Sequence, residues 1–229
     1  MSELDITQTN VAVDQLLEVT DNPRHRYMLE FDITQTNFAV RNLLDVTENP
    51  RHRFMLEAYD RHRNLEMAGR YREIFAPEMT VEHPVYRFDF YGQKLFLDGR
   101  EQVETVYREW TETDQCVFYS EEEELAVGDT MIVSRSRLSQ QTLGAALVEM
   151  GIEADPEAMY LATTRIAMIW PYDSRCRMIG EDVWEYETSE REFLKLAPEN
   201  VVTAKRAGEL LEPLIRPLPS FDDSLQIAA

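Results

Sequence analysis

The chain has 229 residues and 44% hydrophobic content, enough to bury one good core with extensions on either side. Its 23 basic residues against 43 acidic leave a formal charge of −20, which repels phosphate backbones and anionic lipid, so neither nucleic acid nor a membrane is expected as a partner. Two cysteines, Cys116 and Cys176, have neither the number nor the spacing of a disulfide framework or a zinc site.

The first ten residues, MSELDITQTN, carry acids where a signal peptide needs a basic and then an apolar stretch, and a cytoplasmic protein is expected. Residues 4–30, LDITQTNVAVDQLLEVTDNPRHRYMLE, recur as residues 31–57, FDITQTNFAVRNLLDVTENPRHRFMLE, with 20 of 27 positions identical. Two copies are too few for a solenoid. Each holds an apolar helical stretch followed by Asn-Pro, an N-cap with proline at the first helical position. Only the second copy runs on into the rest of the chain, so the first is expected to be an added arm.

From Pro50 to Phe75 the apolar positions Phe54, Ala58, Leu65, Tyr71 and Ile74 recur at helical spacing, which puts Arg61, Arg63, Arg70 and Arg72 on the wet side. Ala76-Pro77 should stop that helix. Met79, Val81 and His83 then alternate as one face of a strand, pointing His83 at the core. An aromatic stretch from Phe88 to Leu97 precedes a helix over residues 100–113 with Val103, Val106, Tyr107 and Trp110 on one face. Strands follow over residues 118–127 and 130–138 across the turn dipeptide Gly128-Asp129. The acid run Glu121 to Glu124 reads as a solvated strand edge. Residues 144–160 look like a short helix and loop, a candidate lid. Two long strands, residues 161–170 and 177–187, should form a hairpin, and the proline-rich tail after Ser189 an extended wrap or loose end.

The order helix, Phe-Ala-Pro-Glu, Thr80-Val81-Glu82-His83-Pro84, then Gly99-Arg100-Glu101-Gln102-Val103 resembles the nuclear transport factor two-like superfamily, which includes ketosteroid isomerase, scytalone dehydratase and polyketide cyclases. The resemblance covers roughly residues 50–187. It implies an α+β fold, a cone-shaped curved antiparallel sheet wrapped around N-terminal helices, with the duplicated helical arm in front. The expected divisions are residues 1–49 for the arm, 50–188 for the cone and 189–229 for a C-terminal extension. The comparable strand of the isomerase reads Thr-Val-Glu-Asp-Pro with Asp as general base, so His83 takes the base's place and Tyr59 that of the oxyanion-binding tyrosine. The isomerase's second donor falls near Met168, whose thioether cannot donate.

On the last strand, alternation puts Asp182 and Trp184 inside on the more aromatic face, whereas a gapless register on the isomerase puts Glu181 there. Following the alternation, the expected catalytic set is His83, Asp182 and Tyr59, with Trp184, Met168, Tyr86 and Trp110 holding substrate. No metal is expected. No nucleophile elbow, phosphate loop or dinucleotide fingerprint occurs, and no cofactor is expected. The activity implied is a cofactor-independent lyase or isomerase, dehydratase- or cyclase-like, moving a proton on a small, largely apolar carbonyl compound; the chain is expected as a homodimer. The other reading is a non-catalytic ligand-binding or dimerisation module of the same fold.

Overall fold

A computed structural model of the chain describes residues 31–226. The first copy of the repeat lies outside the described residues, and of the expected arm, residues 1–49, only residues 31–49 are described. A 3-10 turn at Ile33–Gln35 leads into helices α1 (Phe38–Val46) and α2 (Pro50–Met67). Strands β1 (Thr80–Phe90) and β2 (Gln93–Asp98) precede α3 (Arg100–Glu112), and β3 (Phe118–Val127) pairs with β4 (Met131–Leu143). The short α4 (Gly144–Glu149) connects to the hairpin β5 (Met159–Pro171) and β6 (Met178–Lys195), and α5 (Ala204–Leu211) and α6 (Phe221–Gln226) finish the described chain.

Asn49 caps α2 as its sequence predicts: its side chain accepts from the N–H groups of Arg51 and His52, and Pro50 opens the helix. The helix ends eight residues earlier than Phe75, because Gly69 adopts φ +68 and Arg70 N–H reaches back to the Leu65 carbonyl at 2.8 Å. The stretch to Phe75 is a separate 3-10 turn. Ten of the 18 residues of α2 are buried, His62, Arg63 and Asn64 among them. A helix buried almost all round has no wet face for Arg63, and the expectation that it faces water is corrected. The sheet, α1, α5 and α6 all pack on α2.

The six strands form one sheet in the order β2-β1-β6-β5-β4-β3. Every neighbouring pair is antiparallel except β1 and β6, which run parallel, so the sheet is mixed and not wholly antiparallel. Nearly the whole domain separates those two strands in sequence, and no hairpin dictates their direction. Register shifts interrupt the β1–β6, β3–β4 and β5–β6 ladders, the bulges that bend a sheet and re-aim side chains. Tyr91 (φ 52) and Gly92 (φ 76) make the β1–β2 turn, both in the left-handed conformation that a two-residue hairpin demands.

The C-terminal tail is wrapped down on the fold. Gln141 exchanges two hydrogen bonds of 2.8 Å with the Val202 backbone, Asp114 Oδ1 caps Ala204 N–H at 2.7 Å, and Ala207 and Leu211 are fully buried. Residues 144–160 are likewise tied down, with Leu147 buried and Asp155 held by Lys195 at 2.6 Å.

Candidate active-site cavity

Between α2, α3 and the concave face of the sheet lies a cavity of about 60 Å³, several times the roughly 10–15 Å³ that one water requires. Phe88, Phe90, Trp110, Phe118 and Trp170 are among the side chains of its wall. Its polar lining includes Arg63 and Glu66 from α2 and Glu181 from β6. None of residues 144–160 lines it, so that segment is not the lid the sequence suggested.

The α2 contribution follows from helical spacing. Tyr59, His62, Arg63 and Glu66 stand at i, i+3, i+4 and i+7, one stripe of one face. Two bulges set the sheet contribution. On β6 both Met178 and Glu181 are buried, an odd spacing that departs from period-two alternation. The β1–β6 ladder is irregular here, with the extra residues on β1 between Thr80 and Val85, and Gly180 allows the approach: an added Cβ there would lie 1.8 Å from the Val85 carbonyl oxygen. On β3 the register shifts between Glu121 and Glu124, with Glu122 at φ 51. The bulge turns Glu123 inward while Glu121, Glu122 and Glu124 pair outside with Arg137, Arg165 and Arg135. The acid run is therefore not solvated throughout: the Glu123 side chain is 2% exposed.

Arg63 Nη1 meets both Glu123 oxygens, at 2.9 and 3.0 Å. Burial works against the guanidinium charge, but Glu123 outweighs it and the Arg63 pKa is raised. Glu66 has no such partner. Burial pushes its pKa up to about 8, against the pull of Arg63. Glu181 is also raised well above the ordinary carboxylate value, by burial first and then by the nearby Glu66. His62 goes the other way, down to about 3, through burial and the neighbouring Arg63 charge. It is a neutral imidazole, with Nε2 3.3 Å from Tyr107 Oη and 3.8 Å from Glu66 Oε2.

Of the residues expected from sequence, Met168 and Trp110 line the cavity. Tyr86 is buried behind the wall, edge-on to Phe88 and Tyr107. Tyr59 is also behind it, with its hydroxyl on Glu123 at 3.3 Å and its ring edge-on to Trp170. His83, Asp182 and Trp184 are not brought together inside. The His83 side chain is 69% exposed and bonds Asp98 at 2.8 Å, because Pro84, Tyr86 and Phe88 form the inward face of β1. Asp182 pairs with Arg87 at 3.0 Å on the outer face, and Trp184 is 37% exposed there. The register implied by the isomerase resemblance, with Glu181 inside, is the one the fold adopts. The sequence reading missed Arg63 and Glu66; the i, i+3, i+4, i+7 spacing from Tyr59 was the signal.

No protein-family model matches this chain, and no curated protein does. Solved structures do resemble it. One is described as a SnoaL-like polyketide cyclase from Jannaschia sp. CCS1, 13% identical with a TM-score of 0.45, the match covering 60% of this chain and 89% of that one. Another is an NTF2-like protein from Anabaena variabilis, 10% identical with a TM-score of 0.44, covering 62% and 94%. A third is SalBIII, an epoxide hydrolase/cyclase-like enzyme of pyran ring formation in salinomycin, 11% identical with a TM-score of 0.42, covering 65% and 98%. At these identities the chemistry of the cavity has to be argued from its own residues.

Among the described residues no group of three or more His, Cys, Asp or Glu side chains is arranged to hold a metal ion. No described helix is long and apolar enough to cross a membrane.

Proposed function

We propose that the chain is a cofactor-independent lyase or isomerase that moves a proton within a small, largely apolar carbonyl compound. Glu66 and Glu181 act as the acid and base, in place of the His83 and Asp182 expected from sequence. The observation that carries this reading is the pair itself: two carboxyl groups with raised pKa values lining one aromatic cavity. Like charges in a shared dry site resist joint ionisation, so such a pair keeps one proton near neutral pH and is both donor and acceptor.

The ionised member takes a proton from the carbon next to the carbonyl, and the electron pair left behind moves onto the carbonyl oxygen. The protonated member then returns a proton, to a conjugated carbon in an isomerisation or to a departing hydroxyl in a dehydration. Trp110, Phe88 and Phe90 hold the apolar body and keep water from the enolate.

Deuterium exchange tests this without knowledge of the natural substrate. The full chain in heavy water should exchange the methyl protons of acetophenone faster than buffer, read by NMR, with a rate that rises and falls across neutral pH. Glu181→Gln and Glu66→Gln should each slow the exchange by about 10²-fold or more, with the double variant little worse than either. Exchange at the buffer rate, or unchanged in both variants, would leave the non-catalytic binding module as the better reading.

A further inference from the structure

Two side chains that line the cavity carry hydrogen-bond donors with no partner among the described residues. Arg63 is 2% exposed and Trp170 is 2% exposed, yet Arg63 Nη2 and Trp170 Nε1 are buried without an acceptor among the described residues. Folded proteins leave few such groups, and those they leave call for an explanation. Both side chains line the cavity. Both also pack on the Tyr59 ring, Trp170 edge-on at 4.6 Å and the Arg63 guanidinium at 5.2 Å, so they share one wall.

We propose that Arg63 Nη2 and Trp170 Nε1 are the oxygen-binding donors of this cavity, and that the ligand they select is uncharged and offers an sp² oxygen. This rests on the proton-transfer reading of the site and takes over the role that the sequence assigned to Tyr59, whose hydroxyl is engaged by Glu123.

The charge balance of the wall argues for a neutral ligand. Arg63 is already answered by Glu123 at 2.9 Å, so its remaining N–H offers direction and not net charge. A ligand carboxylate would place a further anion among Glu123, Glu66 and Glu181. An ammonium ion has no lone pair to give the two N–H groups. An uncharged ketone, aldehyde or ester oxygen satisfies both, and it gathers negative charge during enolisation where fixed donors hold it best. His62, Tyr107 and Tyr86, the other titratable groups packed nearby, are each held neutral: burial lowers the first and raises the two phenols.

The test uses the full chain and acetophenone labelled with ¹³C at the carbonyl. Its infrared carbonyl band in the complex should lie below its position in cyclohexane, the mark of hydrogen bonding in a dry site. Acetophenone should also bind more tightly than benzoate or benzylamine, ligands of similar size and opposite charges. Trp170→Phe should return part of the shift and weaken binding about three- to tenfold, the scale of one neutral hydrogen bond. Arg63→Lys, which keeps a charge for Glu123, should do the same and serves if the tryptophan variant does not fold. An unshifted band, tighter binding of either charged ligand, or both variants matching the wild type would overturn the proposal. Glu181→Gln should leave the band shifted. A shifted band with no deuterium exchange in the wild type would therefore retire the proton-transfer reading while the two donors stand.

Discussion

Glu66 stands three residues beyond Arg63 on α2, with 12% of its side chain exposed, and burial lifts its pKa from 4.5 to about 8. The folded chain therefore holds a proton there that the unfolded chain releases above pH 4.5. Its stability contribution is complete below that pH and is lost as the pH rises through about 8. Glu181 shifts in the same direction and adds to the slope. His62 has the opposite linkage. Its folded pKa of about 3 against an ordinary 6.5 means that acid protonates the unfolded chain first, and stability is lost as the pH falls below 6.5. The two effects bound a dome of stability. Thermal midpoints followed by circular dichroism should fall from about pH 6 to pH 9 in the wild type, and Glu66→Gln should flatten that alkaline limb while leaving the acid limb alone. A wild-type midpoint that rises over the alkaline range would show that neither carboxyl is held protonated.

The helices and strands themselves were legible in the sequence, since the 3.6 and 2.0 periods that define them are carried by strings of apolar side chains. The β3–β4 and β5–β6 hairpins and the Asn49-Pro50 helix start appear where those patterns place them. Side-chain direction was less legible, and the reason is local: an irregular ladder breaks the alternation where it falls, and nothing in the pattern of Asp182, Trp184 and Tyr186 shows that the Val85 carbonyl of β1 closes on Gly180 just before them. The same blindness turned Glu123 from an expected surface acid into the partner of Arg63. The helix α1 is held in place from several sides. Its seat is filled by the second copy of the repeat, with Val40 fully buried, Asn37 Nδ2 bonded to the Asp60 carbonyl at 3.0 Å and Thr36 Oγ1 to the Phe118 carbonyl at 3.3 Å. Deleting residues 1–30 should thus shift the thermal midpoint by no more than about 5 °C. Val40→Asp in the full chain should lower it far more, because it buries an unpaired charge. Insoluble protein after the deletion would mean that the first copy is part of the core.

At the scale of the whole molecule, α2 is the axis, and the chain's last described segment is one of the surfaces that cover it. Gly208 of α5 approaches the Ala68 carbonyl so closely that an added Cβ would sit 3.3 Å away, and Ala204, Ala207 and Leu211 are buried in the same contact. Removing the chain from residue 198 onward should then expose apolar surface on α2. Insoluble protein, or a midpoint lowered by more than about 10 °C, is expected, in contrast to the mild effect of the N-terminal deletion. A truncated chain melting with the wild type would show that the tail only rests on the fold. The strand order has a consequence for how the chain is made. β6 is the last strand to leave a ribosome, yet it lies in the sheet between β1 and β5. Until it emerges, β1 and β2 form one hairpin and β3, β4 and β5 another group, with no ladder joining them and the inner edges of both unpaired. The nascent chain must carry the open edge of β1 from Phe90 until β6 begins at Met178, and the cavity lined by Arg63 and Glu66 of α2 is completed only when Glu181 arrives.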